Sequence, residues 1–367
     1  MRRKLPYRRR MAAIPSERPE DFDRLLANTS HIALVVIGIF TVLVALSYAR
    51  FFLAPIFLAV VIGLMLVPYA RRMEAAGMSS GVSALISVVS LLALLTILGV
   101  GLAVPLSDWT ERLPLIWARI NDLISSWRDM IAISKYQEIL SELQLTEENM
   151  KVDLGDADTV KEAASKAPAL LGQFLIFITS LYFFVATRDE FRASVLKLCF
   201  SRALRLRMAR IFLDIELKVS RYLVQITLIN IGLGVATTIA MWLIGVPSPV
   251  LWGVLAGLLN YVIYLGPALM AFILFMVGLS TGGTLFQVAL PAMVFLGLNL
   301  TEAYFVTPQF LGRALTMNPF IVFLALAFWI WIWGPVGGFV AVPSLLITYT
   351  ILTHVLGQRV RTPKLPA

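Results

Sequence analysis

Between Tyr222 and Gln358 only two side chains carry a formal charge, Glu302 and Arg313. The stretch around them, Asn299 to Pro343, reads NLTEAYFVTPQFLGRALTMNPFIVFLALAFWIWIWGPVGGFVAVP and is otherwise almost wholly apolar. A charge near the middle of a bilayer costs about 2.5–3.5 kcal/mol on insertion scales, so chains rarely retain one there without a use. A carboxyl group in that setting is suited to carry a proton or to hold a cation. Arg313, eleven residues on, lies beyond an expected helix break at Thr307-Pro308. It is placed to be the counter-ion of Glu302 or to sit among lipid headgroups. A Glu–Arg pair that merely fixes a helix-to-loop corner is the structural alternative. Asn299, three residues before Glu302, shares its helical face.

The elements that must position these groups are unusual. Two hydrophobic stretches, about 250–280 and 318–353, each exceed 30 residues, longer as straight helices than the roughly 30 Å hydrocarbon core. Gly266-Pro267 and Gly334-Pro335 interrupt them near their middles, the second followed by Gly337-Gly338. Proline lacks the backbone donor and clashes with the preceding turn, so each pair predicts a break or kink. Paired interrupted segments point to a binding site in secondary transporters, because broken helix ends turn free backbone groups toward a cavity. These two flank the 285–306 helix that bears Glu302. Re-entrant hairpins and kinked spans fit the hydropathy equally, and only the former keep Arg313 on the cytoplasmic side, which the distribution of basic residues favours.

Asn260, Tyr261 and Tyr264 stand just before the first break, and Gln225 and Asn230 lie early in the fifth span. All are suited either to bind a small polar ligand or to hydrogen-bond between helices. Gly253 with Gly257, and Gly334 with Gly338, have the spacing that lets helices pack closely. The candidates are therefore Glu302 and Arg313 for coupling. For the substrate path they are Gln225, Asn260, Tyr264, Gly266, Pro267, Asn299, Pro308, Gly312, Asn318, Gly334 and Pro335.

Other chemistry lacks its residues. The chain has no GxxxxGK[ST] phosphate loop and no GxSxG elbow, and its two histidines, His31 and His354, form no HExxH pair. Asp153, Asp156 and Asp158 lack the glycine and distal glutamate of a calcium loop. No enzyme activity, metal or cofactor is expected. The single cysteine, Cys199, allows no intramolecular disulfide.

The 367 residues are 59% hydrophobic and 14% charged, against about 25% charged in soluble domains. An all-α polytopic membrane protein follows, with about eight hydrophobic segments, two of them broken or re-entrant. Its net charge of +9 gathers in particular loops, which suits orientation in a lipid bilayer rather than nucleic-acid binding. Residues 1–30 form a basic tail, and the run after it reads as an uncleaved first helix. Residues 31–104 hold three spans, 105–167 a small extracytoplasmic helical segment, and 168–187 a fourth span. Residues 188–219 form a basic amphipathic linker expected to lie at the cytoplasmic interface. Residues 220–354 are the transport core, and 355–367 a cytoplasmic tail. The segment 105–166 carries twelve acids against seven bases, and both termini are placed in the cytoplasm. From Leu106 through Trp109, Leu113, Ile116, Ile120, Leu123 and Trp127 to Met130, apolar residues alternate steps of three and four. That stripe lies on the protein's own core, on the membrane surface, or between subunits.

RYLVQ at 221–225, SPVLWGVLAGLLNYVIYLGP at 248–267, Glu302, VTPQFLGRAL at 306–315, NPFIVFLAL at 318–326 and WGPVGGFVAVP at 333–343 together resemble the autoinducer-2 exporter family of bacterial membrane proteins. The chain departs from that family at Ile263, where proline is usual, and at Ala303, where asparagine is frequent. Both positions touch the expected cavity, so the substrate can differ. The resemblance implies an oligomeric inner-membrane transporter, some members exporting autoinducer-2 and others exchanging sodium or protons.

The function expected is ion-gradient-driven export of a small polar organic molecule. A sodium/proton antiporter using the same glutamate, and a non-transporting scaffold assembled through the outer stripe, are the rivals.

Overall fold

The computed structural model describes residues 19–130, 157–281, 283–311 and 318–356. Among them every regular element is helical. In chain order these are α1 (Pro19–Tyr48), α2 (Arg50–Ala75), α3 (Ser80–Met130), α4 (Ala157–Lys197), α5 (Arg202–Leu243), α6 (Pro249–Leu259), α7 (Leu265–Thr281), α8 (Leu285–Thr301), α9 (Thr307–Leu311), α10 (Pro319–Trp333) and α11 (Pro335–Leu356). A π-helical turn, Glu302–Val306, joins α8 to α9. Six helices are long and apolar enough to cross a membrane, and the shorter apolar ones include α6, α7 and α10. The chain is a multi-pass membrane protein.

α1 belongs to a unit of its own, residues 1–50. Its side chains Leu34, Val36 and Phe40 are exposed, as suits a helix solvated by lipid. The other elements, from Phe51 on, make up the second unit.

Several helices run through the boundaries that hydropathy suggests. α3 spans 51 residues, about 75 Å at 1.5 Å per residue, and passes Pro105 and Pro114 without interruption. The outer segment is thus continuous with the third span. Residues 202–219, expected as a separate interfacial linker, are the first turns of the 42-residue α5, which continues to Leu243. Its start is fixed by Ser201, whose hydroxyl accepts from the Leu204 N–H at 3.1 Å.

Two apolar cores hold the second unit together. In one, Ala59 and Ala70 of α2 pack with Ala84 and Val88 of α3 and with Phe177, Leu181 and Val185 of α4. In the other, Trp109 and Ile116 of α3 pack with Met241, Trp252, Met270, Leu274 and Phe295 from α5 to α8. Trp109 meets Trp252 edge-on at 4.8 Å. Part of the outer stripe therefore packs on the chain's own core, while Leu106 and Leu113 are exposed. Leu123, Trp127 and Met130 have side chains outside the described set.

Charged side chains fasten one end. Arg188 of α4, 7% exposed, pairs with Glu74 of α2, 23% exposed, and its Nη1 donates to the Val185 carbonyl at 2.6 Å. Arg71 pairs with Glu216 at 2.6 Å, and His354 Nε2 lies 3.2 Å from Asp214 Oδ2. Removing one member of a buried pair strands the other charge, whereas an exposed pair contributes little. Arg188→Met should lower stability by about 2–3 kcal/mol, less than for a fully buried pair because Glu74 reaches solvent. Arg71→Met should cost under about 1 kcal/mol. Thermal unfolding of the two purified variants checks that order.

Candidate functional site

Both interrupted segments reverse direction at their breaks. Gly337 lies so close to Trp329 that a Cβ would overlap that residue's carbonyl oxygen. A straight helix would hold residues eight apart about 12 Å from each other. Gly266 approaches Leu259 in the same way, and its missing Cβ is what admits the Leu259 carbonyl. Gly334 has φ +62 and ψ −140, a conformation that only glycine takes readily. Pro335 then opens α11, where its absent N–H has no helical partner to lose, and Pro267 sits in the first turn of α7. The segments are helical hairpins rather than kinked spans.

The two reversals touch. Tyr261 stacks at a tilt on Phe339, ring centres 5.1 Å apart, and a Cβ on Gly338 would meet Val262 at 3.0 Å. Glycine at 338 therefore admits the first break against the second.

Asn260, the C-terminal cap of α6, faces two partners from that junction. Its Nδ2 donates to Asn230 Oδ1 of α5 at 2.9 Å, and its Oδ1 accepts from Asn299 Nδ2 of α8 at 3.3 Å. Three amides thus run head to tail across three elements. Beside them Tyr261 donates to Thr227 Oγ1 at 2.7 Å, and Thr227 donates to the Leu223 carbonyl. Asn230 is 2% exposed, and its Nδ2 finds no acceptor among the described residues. A buried donor without a partner costs about 1–3 kcal/mol.

Close helix packing makes this arrangement possible. A Cβ on Gly257 would come within 2.8 Å of the Asn230 carbonyl, and one on Gly234 within 2.8 Å of the Gly253 carbonyl. The glycines let the backbones of α5 and α6 meet, which brings Asn230 within reach of Asn260.

One turn beyond Asn299, Glu302 is buried, 9% exposed, and opens the π turn. The Thr307 hydroxyl donates to its carboxylate. The wider turn explains that bond. Pro308 cannot donate to the helix and crowds the carbonyl four residues back. The chain responds with a bond from the Thr307 N–H to the Glu302 carbonyl, five residues back, which stacks Thr307 over Glu302. The break expected at Thr307-Pro308 is therefore a π turn in a continuing helix. Among the described residues no cationic side chain pairs with Glu302. Gly312 and Arg313 lie outside the described residues.

Other candidates take local roles. Gln225 Nε2 donates to the Phe310 carbonyl at 2.9 Å, tying α5 to α9. Asn318 caps α10, accepting from the Phe320 N–H at 2.9 Å. Tyr264, with φ +66, belongs to the turn of the first hairpin, and its side chain is exposed. Thr227 and Thr307 are participants that the sequence reading overlooked. Thr227 stands three residues before Asn230 on α5, a helical-face signal that was available. Thr307 meets Glu302 only through the π register, which no helical periodicity reveals.

Comparisons with known proteins agree with this architecture. The chain is 34% identical over 125 residues to YhhT of Escherichia coli, covering 34% of this chain and 36% of YhhT. It is 26% identical over 267 residues to YrrI of Bacillus subtilis, covering 70% of this chain and 72% of YrrI. Both of those carry names that make them candidate transport proteins. It is also 33% identical over 139 residues to the AI-2 transport protein TqsA of Escherichia coli, covering 38% of this chain and 40% of TqsA. The YhhT and TqsA matches each span under half of the relative's length. The family model described as AI-2E family transporter, however, matches residues 32–357, from α1 through both hairpins to the end of α11, and the chain belongs to that family.

Proposed function

We propose that the protein is a secondary transporter that exports a small polar organic molecule of the autoinducer-2 type, driven by an ion gradient. One observation carries this reading. The amide relay Asn299–Asn260–Asn230 ends at the first hairpin's reversal, which touches the second hairpin, and the buried Glu302 lies one helical turn past Asn299. Polar groups in lipid-embedded helices are expensive unless they pair or serve a pathway. Here three asparagines converge from α5, α6 and α8 on the first reversal, as a midplane binding site requires. In this reading Glu302 exchanges the coupling proton or cation, and the asparagines meet the substrate. The name of TqsA, an AI-2 transport protein, supports the substrate class. The basic clusters of the N-terminal tail, residues 188–218 and the C-terminal tail support cytoplasmic termini in a bacterial inner membrane. A homo-oligomer is the assembly proposed.

The test is flux through the purified protein in proteoliposomes. Autoinducer-2 and, separately, sodium are offered with and without an imposed proton gradient. Gradient-dependent movement of autoinducer-2 is the expected result. Gradient-dependent movement of sodium alone would make the protein a sodium/proton antiporter, and no movement of either, from intact protein, would overturn the transport reading.

A further inference from the structure

We infer that Asn230 is the specificity-determining residue of this site and that its free amide N–H selects an uncharged ligand presenting a carbonyl or hydroxyl oxygen. The inference rests on the transporter reading above and names the ligand chemistry that the reading leaves open. Every other amide end in the middle of the relay is occupied. Asn260 uses Nδ2 on Asn230 and Oδ1 on Asn299, and Asn230 uses Oδ1 on Asn260. What remains at the buried end is one amide nitrogen, Asn230 Nδ2, whose N–H donors find no acceptor among the described residues.

A donor recognises an acceptor and repels a hard cation such as sodium, whose ligands in proteins are oxygens. Charge narrows the class further. Glu302 lies one helical turn past Asn299, and among the described residues no cation pairs with it. An anionic ligand would be repelled by that carboxylate. A neutral polyol or hydroxyketone satisfies both conditions. The polarity of the relay decides the matter. Turning all three amides over would present Asn230 Oδ1 instead and select a cation, so sodium is the counter-probe.

Calorimetric titration of the purified full-length protein with autoinducer-2, and separately with sodium chloride, tests this. Asn230→Asp keeps an oxygen for Asn260 to donate to and replaces the free N–H with a second oxygen. The expected result is binding of autoinducer-2 to the wild type, weakened at least about tenfold in Asn230→Asp. Equal autoinducer-2 affinity in the two proteins would remove Asn230 from the site while leaving transport intact. Wild-type protein that binds sodium and not autoinducer-2 would overturn the neutral-ligand assignment and favour antiport. Wild-type protein that binds neither, and moves neither in proteoliposomes, would overturn both readings. Should Asn230→Asp fail to assemble, competition on the wild type decides. Ribose should displace autoinducer-2 at lower concentration than its oxidised acid, ribonate, and the reverse order would overturn the inference.

Discussion

Glu302→Gln should reduce gradient-dependent flux in proteoliposomes by roughly 100-fold, the scale of losing a group that exchanges protons, while the protein purifies and unfolds like wild type. The substitution separates chemistry from architecture because of what Glu302 does in the π turn. Its carboxylate accepts a hydrogen bond from the Thr307 hydroxyl. Glutamine has the same length and presents an amide oxygen to the same donor. The backbone bond from the Thr307 N–H to the Glu302 carbonyl does not involve the side chain at all. Only the capacity to take and release a proton, or to hold a cation by charge, is removed. If Glu302 merely fixed a helix corner, the variant would keep its flux, because the corner survives. Unchanged flux at full gradient would therefore end its role in coupling.

The same residues show how far the chain could be read from its sequence. The spans followed from apolar run length. The positions of both breaks followed from Gly-Pro, because proline's missing donor and glycine's backbone freedom are local properties. Asn260 and Asn299 were legible as path residues from their position beside a break and beside Glu302. Asn230 appeared only as a weak candidate, because its role depends on Gly257 admitting the backbone of α5, a contact between elements that no periodicity encodes. Proline misled at 308. There the strain is absorbed by one wide turn instead of a break, and the choice depends on packing of the π turn against α5. Run length misled at 104, where α3 continues unbroken past the hydrophobic limit of its span and through Pro105 and Pro114. Run length reports where lipid ends, not where a helix ends.

Gly257→Ala should lower flux at least about tenfold and stability by about 1–3 kcal/mol, the cost of one methyl forced into a filled contact. Gly232→Ala should do neither. The added methyl at 257 would lie 2.8 Å from the Asn230 carbonyl oxygen and 3.8 Å from the Gly234 Cα. Both obstacles are backbone of α5, which cannot swing aside as a flexible side chain can. α6 must retreat by some tenths of an ångström, and it takes Asn260 with it, because Asn260 caps that helix. The 2.9 Å bond from Asn260 to Asn230 is stretched, and the relay loses its end. At Gly232, on the same helix as Asn230, a Cβ meets nothing within 4 Å. Alanine there gains helix propensity worth about 0.5–1 kcal/mol over glycine. Measured together, the two variants distinguish a general intolerance of α5 and α6 to substitution from a specific need for contact at the asparagine relay. Loss of flux in Gly257→Ala at a temperature where the variant remains folded would place the cause in the geometry of Asn230 and Asn260. Equal flux in both variants would mean that the relay tolerates displacement and does not grip the transported molecule.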